Sequence, residues 1–140
     1  MQRRLPLATL FVAALALTVA GCAGGDQPAP ALSPVAIKDF PSVAGKWAGR
    51  ISGLASRRDE DDWLNVAITP EGNCDFGVYR QIGVFSGKGK LTLQDGKLAF
   101  TGERGAGTLA LLEGGGRRVL RANAVLTDGT QLNADLTPPR

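Results

Sequence analysis

From Phe40 onward, apolar side chains recur at every second position. That period belongs to a strand with one buried face, because successive side chains along a strand point to opposite sides. Trp47, Gly49 and Ile51 alternate with Ala48, Arg50 and Ser52. Leu64, Val66 and Ile68 alternate with Asn65, Ala67 and Thr69, and Cys74, Phe76 and Val78 with Asp75, Gly77 and Tyr79. After an irregular stretch around residues 83–89 come Leu91 and Leu93, then Leu98 and Phe100, then a more continuous apolar run over residues 108–112. The alternation over residues 119–126, and Leu132, Ala134 and Leu136, complete the series. No helical stripe of useful length appears.

The punctuation fits the same reading. Asp95-Gly96 and Asp128-Gly129 each stand between alternating hydrophobic runs. Asp-Gly in that setting predicts a two-residue hairpin turn, with positive φ at both central residues. Pro70-Glu71-Gly72-Asn73 and Glu113-Gly114-Gly115-Gly116 are looser turns of the same kind. About eight short strands joined in order predict an all-β domain over residues 40–140, an antiparallel meander folded as a barrel or a two-sheet sandwich. A domain this small buries only about 60–65% of its unfolded-chain surface, which leaves little core to spare for a large cavity.

The first 22 residues follow other rules. Arg3 and Arg4 precede an uncharged apolar run over residues 5–20, closed by Val19-Ala20-Gly21-Cys22. Residues 1–21 thus read as a secretory signal peptide, whose h-region this run fits better than it fits a membrane span of about 20 residues. The closing tetrapeptide resembles the lipobox of bacterial lipoproteins: an aliphatic residue, two small residues and a lipid-accepting cysteine. The resemblance implies cleavage after residue 21, a thioether-linked diacylglycerol on Cys22 and, in Gram-negative cells, a further acyl chain on the new amino terminus. Two or three chains anchor a protein stably where one does not. Residue 23 is Ala, not Asp, which by analogy with enterobacterial sorting favours the periplasmic face of the outer membrane. Residues 22–39, with Gly24, Gly25, Pro28, Pro30 and Pro34 among small neighbours, predict a disordered or extended tether.

Charge narrows the functions. Removing Arg3 and Arg4 with the signal peptide leaves 14 cations against 13 acids. That balance argues against nucleic-acid binding, which needs a concentrated positive face. The chain has no His, so Ser-His-Asp triads, Cys-His dyads and imidazole metal sites are excluded. No catalytic residues, metal site or cofactor are assigned. Carboxylate-only hydrolysis is the alternative, using a pair among Asp75, Glu103 and Asp135, although nothing in the sequence selects one.

Gly45-Lys46-Trp47, opening the first strand, resembles the G-x-W start of lipocalins and related calycin barrels. The resemblance implies a Trp plugging the closed end of the barrel under an Arg from a late strand, a part assigned to Arg121. With Cys22 lipidated, Cys74 is the only remaining thiol and shares its alternation with Phe76 and Val78, which predicts a buried, inert core residue. Asp59-Glu60-Asp61-Asp62 lacks the alternate spacing and glycine of a calcium loop, and reads as a solvated charged loop. Trp63 is out of phase with Leu64, Val66 and Ile68, so it faces outward or rims the barrel beside that loop. An exposed Trp next to charges is a candidate binding anchor; a solvent-facing aromatic without a role is the alternative. Trp63, Tyr79 and Arg121 are the candidate ligand-binding residues. The function expected is a membrane-anchored, non-enzymatic envelope lipoprotein whose domain binds an envelope protein, a cell-wall component or a small apolar ligand.

Overall fold

The computed structural model describes residues 28–52, 62–80 and 83–139. The predicted signal peptide, Cys22 and the acidic residues 59–61 lie outside the described residues. Nine strands appear among those described: β1 (Ser33–Val35), β2 (Gly45–Ser52), β3 (Trp63–Ile68), β4 (Asn73–Arg80), β5 (Gly83–Gln94), β6 (Lys97–Gly102), β7 (Gly105–Gly114), β8 (Arg117–Leu126) and β9 (Gln131–Leu136). From β2 to β9 every strand pairs antiparallel with the next in sequence. The sheet closes where the end of β2 pairs with β9, Ile51 opposite Ala134. An Ala48–Thr137 bridge reinforces the seam. Eight strands and a closed seam make a barrel, not a sandwich.

The inward face follows the alternation. Trp47, Ile51, Leu64, Val66, Ile68, Leu91, Leu98, Leu109, Leu111, Leu120 and Leu136 are buried in one cluster. Cys74 lies among them, 3% exposed. An eight-stranded barrel is just wide enough for its own side chains to fill.

Three local features differ from the expectations. The stretch over residues 83–89 is not irregular; it is the first half of a twelve-residue strand, β5. Gly87 pairs with Phe76 and Gly89 with Cys74 on the inner face. A β-carbon at Gly87 would strike the Phe76 ring, and one at Gly89 the Phe100 ring. Glycine here makes room for aromatic side chains without ending the strand.

The two Asp-Gly turns also part company. Asp95 and Gly96 both have positive φ, 51° and 72°, as the tight hairpin requires. At the second turn only Gly129 does, at 84°. There the Asp128 carboxylate accepts a hydrogen bond from the Thr130 N–H at 2.9 Å. Leu126 N–H donates to Thr130 O, so the loop is longer and Asp128 serves it through its side chain.

The fold begins earlier than Phe40. β1 pairs with β7, Pro34 opposite Leu112, in line with β6, which pairs with the other half of the same strand. Ile37 follows, 2% exposed in the core, with its N–H donating to Gly96 O at 2.8 Å. Residues from Ser33 onward therefore belong to the folded domain, with β1 as an extra strand beside the closed barrel, and not to the tether. Burial of Ile37 removes its apolar surface from water and helps hold a segment whose proline-rich composition reads as linker.

Candidate functional site

The two ends of the barrel are built differently. At one end the chain enters through a short 3-10 turn, Pro41–Val43, which places Val43 fully inside. Trp47 stands next to it, its indole N–H donating to Val43 O at 2.9 Å. The Arg118 guanidinium, near the start of β8, lies 5.8 Å from the Trp47 ring centroid. It donates to Ser42 O at 2.9 Å and to Glu113 Oε1 at 2.8 Å. This end is closed, with a Trp under an Arg as the G-x-W resemblance implies. The arginine is Arg118, however, and not Arg121. Parity explains the correction: Arg118 shares the inward phase of Leu120 and Ala122, while Arg121 falls on the outward one.

At the other end the interior is not filled. A cavity of about 90 Å³ opens among Leu64, Phe76, Phe100, Leu109, Ala124 and Leu132, its wall almost entirely carbon. Phe76 and Phe100 meet edge to face, centroids 5.2 Å apart at 83°, over the glycines of β5. A vestibule of about 230 Å³ adjoins the cavity and shares Phe76, Val78, Arg104, Leu126 and Leu132 with it. Arg80, Phe85, Thr127 and Asp128 complete the mouth.

Asp62 is the one buried charged residue among the described residues, 4% exposed. Its carboxylate accepts from Arg80 Nε at 3.1 Å, and its carbonyl from the Ile51 N–H at 3.0 Å. This corrects the reading of the acidic run as uniformly solvated. A carboxylate is tolerated inside where a guanidinium pairs with it.

The three candidate ligand-binding residues separate. Trp63 and Tyr79 are register partners on the outer face of β3 and β4, 41% and 44% exposed. Val84 pairs with Tyr79 and continues the row onto β5. Arg121 lies apart, on the outer face of β8, in a two-pronged ion pair with Asp135 at 2.7 and 2.8 Å. Chiefly through those hydrogen bonds, the pair raises the Arg121 pKa and holds the Asp135 carboxyl below its ordinary range.

The remaining chemistry is sparse. Asp75 and Asp135 face outward on β4 and β9, and Glu103 sits in the turn between β6 and β7. None of the three lines the cavity. Among the described residues no three His, Cys, Asp or Glu side chains converge as metal ligands. Cys74 lines the cavity; burial first, then the charge of Asp75, pushes its thiol up to about 11. It is a neutral thiol at physiological pH.

Sequence reasoning missed the Phe76–Phe100 pair and the position of Arg104 at the mouth. A signal for the former exists in Gly87-Lys88-Gly89-Lys90, which keeps the strand period with glycine at the inward positions. No protein-family model matches this chain, and comparison with curated proteins and with solved structures finds no match either.

Proposed function

We propose that this protein is a lipid-anchored lipoprotein of the cell envelope, non-enzymatic, whose barrel takes a small apolar ligand through its open end. The carbon-walled cavity, continuous with a vestibule at the mouth, carries this reading. Cavities lined by hydrocarbon stay dry and accept apolar guests. The inner chamber, about 90 Å³, suits one ring or a short alkyl chain. The vestibule of about 230 Å³ takes the rest of a molecule, and Arg80 and Arg104 there suit a polar end. The plug of Trp47 under Arg118 supports the likeness to ligand-binding calycin barrels. The signal-peptide pattern and Val19-Ala20-Gly21-Cys22 support a lipid on Cys22, with the periplasmic face of the outer membrane as its place.

Titrating the detergent-solubilised protein with the neutral dye N-phenylnaphthylamine tests the cavity. Dye fluorescence is expected to rise to saturation. Ala124→Phe, which fills the chamber, should weaken binding about tenfold or more, the equivalent of ~1.4 kcal/mol. Equal binding by the two proteins would refute the ligand site. For the anchor, radioactive palmitate fed to cells should label the wild type and not Cys22→Ser. Label retained in the variant would sink the lipid assignment.

A further inference from the structure

The outer face of β2 to β5 carries a groove of about 420 Å³. Its floor is a cross-strand row of small side chains: Ala48 opposite Asn65, Asn65 opposite Gly77, and Gly77 opposite Ser86. Toward the open end it is bounded by Tyr79, with Trp63, the register partner of Tyr79, beside it. Neither ring stands away from the sheet. Trp63 leans over the floor, its indole N–H donating to Asn65 Oδ1 at 3.1 Å. Tyr79 lies over Gly77, so closely that a β-carbon there would come within 3.1 Å of its ring. Both keep much of their surface in solvent. The opposite side is mixed: Lys46, Ala67 and Asp75 form a cross-strand row along it, Lys88 is the register partner of Asp75, and Pro139 lines it too.

We propose that this groove binds a glycan chain, with pyranose rings stacked on Trp63 and Tyr79. A pyranose presents a face of C–H groups and a rim of hydroxyls. The half-exposed aromatic rings match the face. Asn65, Asp75 and Ser86 offer donors and acceptors to the rim. The small floor lets the two aromatic side chains lie down against the sheet. Four strands spaced about 4.8 Å apart give the groove a length of about 14 Å, enough for a short oligosaccharide. A protein partner fits less well, because covering Lys46, Asp75 and Lys88 costs their desolvation, whereas sugar hydroxyls hydrogen-bond to such groups directly. The groove is separate from the interior cavity, so the two sites stand or fall independently.

Trp47 is buried and Trp63 exposed, so a change in indole emission on adding sugar reports on Trp63. The full chain in detergent is titrated with tetrasaccharides of β-linked N-acetylglucosamine and of β-linked glucose. A saturable change with at least one is expected, and Tyr79→Ala should weaken it about tenfold or more. Gly77→Ala, whose methyl crowds the Tyr79 ring, should have a smaller effect than Tyr79→Ala. By calorimetry, Trp63→Phe keeps a flat face and should retain binding, whereas Trp63→Ala should lose it. A strand-type circular dichroism spectrum unchanged in all four variants shows that each still folds, whether or not the cavity takes a ligand. No saturable change with either sugar, or an unchanged affinity in Tyr79→Ala, overturns the proposal. So does shielding of Trp63 that depends on protein concentration without sugar, since that assigns the face to contact between copies of the chain.

Discussion

Two tryptophans open neighbouring strands of this barrel and meet opposite fates. Trp47 begins the inward phase of β2 and is 3% exposed; Trp63 begins β3 and is 41% exposed. The strands are antiparallel, Trp47 opposite Val66 and Trp63 opposite Arg50, so the two residues lie toward opposite ends. Residue type does not decide between core and surface here. Phase does: Trp47 alternates in step with Ile51, and Trp63 in step with Asn65. The closed end commits a Trp, an Arg and a 3-10 turn to sealing the core, while the open end leaves a chamber and an exposed aromatic row. One barrel thus keeps its sealing residues and its candidate binding residues at different poles.

Substitution can break that contrast. Trp47→Ala should cost about 3–5 kcal/mol through lost burial and a residual cavity. Trp63→Ala should cost under about 0.5 kcal/mol, as for other surface changes. Chemical denaturation of the two variants measures both, and comparable losses would end the distinction. Ile37→Ala comes next, at about 2–4 kcal/mol, because this side chain ahead of the barrel is core. A denaturation midpoint equal to the wild type's would return that segment to the tether.

The two arginines sharpen the same comparison. Arg118→Ala should cost about 1–2 kcal/mol, from a cation–π contact and hydrogen bonds over a buried ring. Arg121→Ala removes a half-exposed ion pair worth at most about 1 kcal/mol. Its cost should shrink in high salt, where exposed charges are screened. A larger loss at Arg121 than at Arg118 would reverse the assignment of the cap.

The smallest effect at neutral pH belongs to Cys74. Its thiol is raised from the ordinary 9.0 to about 11 in the folded protein. The unfolded chain therefore loses this proton first as pH rises. Stability should be untouched below about pH 8 and should fall between about pH 9 and 11. Denaturation at alkaline pH should show that slope in the wild type and not in Cys74→Ala. The native thiol should also react slowly with a thiol reagent until the protein unfolds; rapid native labelling would place the sulfur at the surface.

Much of the barrel was legible because one period governs it. Leu64, Val66 and Ile68 point inward, Trp63 and Tyr79 outward, and Cys74 inward, all from phase alone. What escaped depends on partners distant in sequence. Gly87 and Gly89 look like breakers until Phe76 and Phe100 are known to occupy the space beside them. β1 has three residues, too few for any period to show. Asp62 reads as the end of an acidic run until Arg80 gives it a partner across the barrel end. Arg117 and Arg118 precede the clear alternation of β8, so choosing the inward one requires knowing where that strand starts. Trp63 and Tyr79 were legible as outward residues, but their adjacency needed the register. The cavity is a matter of shape that no local pattern carries.

The pairing of β1 with β7 also sets a mechanical limit. Just ahead of β1, Pro30 packs against Gly115, at the tip of the β7–β8 hairpin on the closed end. Pro30 comes eight residues after Cys22, a leash of at most about 28 Å when drawn straight. The ten residues of β7, tilted as in other eight-stranded barrels, stand about 25 Å tall. With a lipid on Cys22, the barrel is moored by its sealed pole. Turning the mouth toward the same bilayer would pull the leash almost straight along the barrel wall, which chain entropy opposes. Such a mooring would act as a compass, aiming the mouth and the outer aromatic row away from the anchoring membrane, into the space beyond.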